Sequence, residues 1–128
     1  GVYTRLLVSR WAHSNASIVP YLQALRDTAL AAREQQKTAG QLEIKLFEVP
    51  GWQDTVGRYR KYPEVSRVNH TKYIVTERRA NFGTSNMTWG YFANTAGASF
   101  NTDHAELVAG LRDVFERDWS SPYVVQLP

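Results

Sequence analysis

The stretch from residue 69 to residue 86, NHTKYIVTERRANFGTSN, constrains this chain more than any other. It reads as a strand, a turn and a second strand, with chemistry at both outer ends. Side chains two apart on a strand share a face, so His70 and Lys72 point the same way and Thr71 points away. Tyr73, Ile74 and Val75 form an apolar run of the kind found in a strand covered on both faces. Glu77, Arg78 and Arg79 interrupt it, Asn81 and Phe82 resume it, and Gly83-Thr84-Ser85-Asn86 ends it with a residue that lets backbone come close to a ligand. One imidazole, one ammonium and one amide are thereby placed where a single phosphate can meet all three.

The flanking sequence supplies an α/β frame. Residues 2–9, VYTRLLVS, are rich in β-branched and aliphatic residues and predict a buried strand. A turn at Trp11-Ala12-His13-Ser14 leads to a helix capped near Ser17, with Pro20 in its first turn and Ile18, Tyr21, Leu22, Leu25 and Ala29 as its apolar stripe. That helix is expected to end before Gly40. A second strand is expected over residues 42–49 and is closed by Pro50-Gly51. Residues 52–67 have no clear period and predict a long surface loop with at most short helical turns. After the hairpin come a loop or short helix over residues 88–94 and a strand over residues 96–100. Asp103 to Glu106 fits a capping box, opening a terminal helix striped by Leu107, Leu111, Val114 and Phe115 and ending near Trp119. The order β, α, β, loop, β, β, β, α predicts an α/β layered sandwich: a mixed β-sheet flanked by helices, forming one domain over residues 1–128.

The residues His70, Lys72 and Glu77, followed by Gly83, Thr84 and Asn86, resemble the H-x-K-x(4)-D and G-[ST]-x-N elements of the phospholipase D superfamily. RVNHTKYIVTER, FGTSN, the YFxxTAG run over residues 91–97 and FERDWSSPY over residues 115–123 are similar to the second half of its animal endolysosomal branch, whose members are single-stranded nucleic-acid 5′-exonucleases. Glu77 stands where most of the superfamily has Asp, and no acidic residue follows the Asn element at Asn94-Thr95-Ala96. The resemblance implies one half of a pseudo-twofold fold, the C-terminal half-domain, carrying one H-x-K motif.

It also implies a mechanism without a metal or other cofactor. One histidine attacks phosphorus to give a phosphohistidine, the histidine of a second motif protonates the leaving oxygen, and water hydrolyses the intermediate. His70, Lys72 and Glu77 are the candidate catalytic residues, with Glu77 in an orienting and supporting role. Lys72, Thr84 and Asn86 are the candidate phosphate-binding groups. The second histidine is expected from an N-terminal half of the same enzyme or from a second copy. Two other activities fit the motif: phospholipid hydrolysis or transphosphatidylation, and a catalytically silent binding module.

Charge favours a polyanionic substrate. The chain carries a net +3, and residues 58–79 hold seven cationic side chains against two carboxylates, a local +5 that leaves the remainder at −2. Within this segment Arg58, Tyr59, Arg60, Lys61, Tyr62 and Arg67 mix cations with rings and are candidate nucleic-acid contacts. His13 reads as a hydrogen-bonding turn residue and His104 as a solvated first-turn residue, and neither has metal-ligand company. There is no cysteine, so disulfides, thiolate metal sites and a cysteine nucleophile are excluded. Of three N-x-[ST] triplets, Asn15 is the credible glycosylation acceptor, because the other two lie in the proposed site. An endolysosomal or secreted setting is expected. The chain begins with Gly1 and reads as a soluble fragment or processed piece with no membrane span and no surviving signal peptide.

Overall fold

A computed structural model describes residues 1–36 and 40–128. Its elements in order are β1 (Tyr3–Ser9), α1 (Ile18–Gln35), β2 (Gln41–Phe47), a 3-10 turn (Trp52–Thr55), β3 (Tyr73–Val75), β4 (Ala80–Gly83), α2 (Trp89–Asn94), β5 (Ser99–Thr102), α3 (Ala105–Trp119) and β6 (Val124–Gln126). The α/β class is as expected. The strands divide between two three-stranded sheets, ordered β1-β2-β6 and β3-β4-β5, and the chain falls into two compact units.

The first unit comprises residues 1–69 and 121–128. β1 runs parallel to β2 from Tyr3 opposite Gln41 to Ser9 opposite Phe47, the two strands being joined through α1. β6 pairs antiparallel with Lys45, Leu46 and Phe47, making this the mixed sheet. Its core is Leu22 of α1 against Ile44 and Leu46 of β2, with Leu6, Val8, Ile18, Val19, Leu42 and Leu127 packed around them. The expected stripe on α1 is narrower than its spacing implies. Tyr21 and Leu25 lie on the exposed side, and Ile18, Val19 and Leu22 pack in the core. Ser17 occupies the cap position but makes no side-chain capping bond. Asn15 shapes the turn before it, its side-chain carbonyl accepting the Ser17 amide at 2.8 Å.

The second unit comprises residues 70–120. β3, β4 and β5 form an antiparallel meander with Tyr73, Phe82 and Phe100 aligned across it, as are Ile74, Asn81 and Asn101. Residues directly opposite share a face. On the first face the Phe82 and Phe100 rings stack with centroids 5.8 Å apart. On the second, the Asn81 amide donates to Asn101 Oδ1 at 2.9 Å. α3 contributes buried Val108, Asp118 and Trp119, and β4 contributes buried Ala80.

Four expectations change here. Ile74 is 55% exposed, so β3 is not covered on both faces; an apolar triplet reads the same whether one face or two are covered. β5 begins at Ser99 rather than near Ala96 and runs to Thr102, whose hydroxyl accepts the His104 amide at 3.1 Å. The helix is consequently entered at His104, without a side-chain cap, and the Asp103–Glu106 capping box does not form. Val108 rather than Leu107 is buried on this helix, Leu107 being 55% exposed, while Leu111, Val114 and Phe115 are half-buried as expected. β6 was not foreseen, since three residues are too few to show a period. Among the described residues, no helix is long and apolar enough to cross a membrane.

Candidate active site

The hairpin β3–β4 positions the site in the second unit. The strand proper starts at Tyr73, but the ladder continues one step further, with the Gly83 amide donating to the Lys72 carbonyl at 3.1 Å. Lys72 therefore sits across from a residue with no side chain. Nothing from Gly83 stands over the Lys72 stem. The Lys72 ammonium donates to the His70 backbone carbonyl at 2.7 Å, which holds cation and imidazole-bearing residue together. Burial lowers the Lys72 pKa from its ordinary 10.5, because taking the ammonium out of water disfavours its charged form. The unfolded chain binds that proton more tightly, so this residue's contribution makes stability rise with pH between the folded and unfolded pKa values. Below that window Lys72 is charged, as a phosphate clamp must be.

Thr84, Ser85 and Asn86 follow at the end of β4. The Thr84 amide donates to the Ala98 carbonyl at 3.0 Å, and the Ala98 amide donates to Thr84 Oγ1 at 3.0 Å. The same hydroxyl donates to the Ala98 carbonyl at 3.4 Å, so Thr84 first ties its loop to the segment before β5. Its one hydroxyl proton must leave that weak bond before it can serve a phosphate. Asn86 differs. Its backbone carbonyl accepts the Thr88 amide at 2.8 Å, while its half-buried side-chain amide makes no hydrogen bond among the described residues. It is a donor of this loop left for a ligand.

Two glycines hold the loop in place. A Cβ on Gly83 would lie 2.5 Å from the Ala98 carbonyl oxygen and 3.0 Å from the Ser99 Cα. A Cβ on Gly97 would collide with the hydroxyls of Ser85 and Thr84. Gly97 is thus a supporting residue that the reading by chemistry alone passed over; the Thr-Ala-Gly run at residues 95–97 was its signal. We predict that Gly83→Ala costs about 1–3 kcal/mol, because backbone rather than a movable side chain stands in the way. Calorimetry should register it as a clear drop in Tm, and an unchanged Tm would count against the close approach of β4 and β5.

Glu77 lies apart from His70 and Lys72. It occupies the β3–β4 turn, at the far end of the strand, where with Arg78 and Arg79 it lines a cavity against α3. Tyr73, beside Lys72, has its phenol pKa raised by burial and by the Asp118 carboxylate, with Arg117 opposing. Asp118 is itself buried and accepts two hydrogen bonds from the Arg117 guanidinium, at 2.8 and 3.0 Å.

The basic segment lies in the first unit. Its 3-10 turn is fixed by the Thr55 hydroxyl donating to the Trp52 carbonyl at 2.7 Å and by the Lys61 and Tyr62 amides donating to the Asp54 carbonyl. Arg67, in the left-handed region with φ 55°, lays its guanidinium 3.9 Å from the Tyr62 ring centroid, and Gly51 packs against the same ring. Tyr62 is therefore already engaged, whereas Tyr59 is 89% exposed with Arg58 at 5.6 Å from its ring. Of the two tyrosines, Tyr59 is the one available to stack. His13 packs edge-on against Trp11 at 4.7 Å, as a turn residue should. Among the described residues, no three His, Asp or Glu side chains form a cluster able to hold a metal ion.

No protein-family model matches the chain. Individual proteins do. It is 42% identical over 126 residues to the 5'-3' exonuclease PLD3 of Rattus norvegicus, a match covering 96% of this chain and 24% of that protein. It is 38% identical over 136 residues to the 5'-3' exonuclease PLD4 of Mus musculus, covering 99% and 25%. It is 37% identical over 124 residues to the probable phospholipase D F09G2.8 of Caenorhabditis elegans, covering 96% and 21%. The chain spans about a quarter of the length of the relatives it matches. It is accordingly a homologue of the PLD3 and PLD4 type of 5'-3' exonuclease, within the phospholipase D superfamily, corresponding to one stretch of those longer proteins.

Proposed function

We propose that this chain is the C-terminal half-domain of a phosphodiesterase that removes nucleotides from the 5′ end of single-stranded DNA or RNA through a phosphohistidine. The observation that carries this reading is the ladder bond between Lys72 and side-chainless Gly83, which brings the His70–Lys72 segment alongside the loop that ends in the unpaired Asn86 amide. A phosphate seated there meets a fixed cation and a neutral donor, both aimed at non-bridging oxygens. Their hydrogen bonds strengthen as charge gathers in the transition state. The imidazole of His70 forms a nitrogen–phosphorus bond while the phosphorus–oxygen bond to the leaving group breaks and the second histidine protonates that oxygen, or the two histidines exchange these roles. Water then takes the phosphoryl group and restores the free imidazole. Arg58, Tyr59, Arg60 and Lys61 are the proposed contacts to the strand, with Tyr59 stacking on a base; Tyr62 and Arg67 support that segment.

The test, on the assembled enzyme that pairs this chain with its second H-x-K motif, is digestion of a single strand labelled at either end, run beside a phosphatidylcholine vesicle, because the C. elegans relative and phospholipase D Z of Dictyostelium discoideum are named for lipid chemistry. Stepwise loss from the 5′ end supports the proposal; release of choline with an intact oligonucleotide would replace it with the lipid reading. Asn86→Ala is expected to lower turnover about 100-fold or more, as loss of one transition-state donor does, with little change in Tm. Because histidine supplies both nucleophile and acid, cleavage is expected to persist in EDTA. Activity abolished by EDTA and restored by a single divalent ion would count against this mechanism.

A further inference from the structure

The turn at the far end of the hairpin faces a cavity that the proposed cleavage reaction does not use. It has a volume of about 440 Å³ and is lined by Glu77, Arg78, Arg79, Asp103 and Arg112, with Val108 beneath. The turn that carries the first three is tightly held. The Thr76 amide donates to the Arg79 carbonyl at 2.8 Å, and the Thr76 hydroxyl oxygen accepts the Arg78 and Arg79 amides at 3.2 and 3.0 Å. On α3, residues 105, 108, 109 and 112 share one face by helical spacing. Two of them are alanines, Ala105 and Ala109, so no side chain fills the space between turn and helix.

The charges are the notable part. Three guanidiniums border one cavity, and none of them forms an ion pair with a carboxylate among the described residues. Glu77 and Asp103 border it too, leaving a formal net +1. Guanidiniums match phosphate oxygens in pairs, and the two carboxylates are acceptors for sugar hydroxyls or base amino groups. The volume falls within the range of small-molecule sites, roughly 300–1,000 Å³. His70 is seven residues from Glu77, on the order of 20 Å along an extended chain. A ligand here is not the phosphate being cleaved.

We propose that this cavity is a second phosphate-binding site, taking the phosphate of a nucleotide through Arg78, Arg79 and Arg112. The nucleotide is either a free monophosphate or an internal unit of a bound strand. The site goes beyond the cleavage reaction and stands whether or not His70 attacks phosphorus.

The experiment follows the arginine side-chain N–H signals of the protein by NMR during titration with inorganic phosphate, adenosine monophosphate and a thymidine oligonucleotide, with affinities from calorimetry. The signals of Arg78, Arg79 and Arg112 are expected to shift. The double variant Arg79→Gln/Arg112→Gln is expected to lose about ten-fold or more in affinity at this site, as loss of charge-assisted hydrogen bonds does, while cleavage of a dinucleotide by the assembled enzyme that supplies the second H-x-K motif is unchanged. Ala109→Gln, which fills the cavity and keeps every arginine, should lose the same binding. Equal binding of monophosphate and oligonucleotide assigns the site to free nucleotide, and tighter oligonucleotide binding assigns it to the strand. Guanidinium signals that none of the three ligands moves, or parental affinity in both variants, would overturn the proposal.

Discussion

His70→Ala is expected to remove phosphodiester cleavage, by on the order of 10⁴-fold or more, and to leave the fold nearly untouched. The two halves of that expectation rest on different observations. His70 precedes β3, is exposed and contributes nothing to the buried set of Ala80, Val108, Asp118 and Trp119. Exposed substitutions of this kind usually stay within about 0.5 kcal/mol. Its chemistry, by contrast, has no substitute nearby. Lys72 is a cation whose ammonium is bound to the His70 carbonyl, and Asn86 can donate a hydrogen bond but can neither attack phosphorus nor exchange a proton at neutral pH. Turnover and melting temperature measured on the same preparation separate the two effects. A variant that folded normally and kept near-parental turnover would remove His70 from the mechanism. Lys72→Ala is expected to be almost as damaging to turnover, since the clamp cation would be gone.

What could be read in advance follows from which physical signals are local. The spacing of His70, Lys72, Gly83 and Asn86 was informative because a hairpin converts sequence separation into cross-strand position, and the bond between Lys72 and Gly83 is that conversion. The division into two sheets was not legible. Alternation tells which face a side chain takes, but not which strand lies next to it, and β3 and β2 both read as apolar strands. Ile74 shows the same limit, as does the offset at α3, which is entered at His104 rather than Asp103, with the His104 amide donating to the Thr102 hydroxyl. Gly97 stood in a legible Thr-Ala-Gly run, but its physical reason lies across space, in the hydroxyls of Thr84 and Ser85. The triplet Glu77, Arg78, Arg79 read as the end of a strand, and only the fold reveals Arg112 and Asp103 beside it.

The 128-residue chain on its own is expected to cleave nothing until a second H-x-K motif is brought to it. One imidazole cannot form a bond to phosphorus and protonate the leaving oxygen in the same step, because the first role needs it neutral and the second needs it protonated. The other two histidines do not fill the gap: His13 is packed edge-on against Trp11, His104 opens α3, and neither is followed two residues later by lysine. The relatives are about four times as long as this chain, which leaves ample room for the missing motif on the same polypeptide. A second copy is the other source, and the two differ in how rate depends on concentration. If the copies pair, specific activity rises with protein concentration, and native mass spectrometry of the active species gives twice the chain mass. If a longer polypeptide supplies the motif, the chain stays inert at every concentration and the longer protein is active as a monomer. In either case one imidazole must be neutral while the other is protonated, so rate passes through a maximum against pH whose two limbs belong to the pair. A monomer of this chain alone, fully active with no second motif bound, would show that one histidine suffices and would dismantle the two-histidine mechanism.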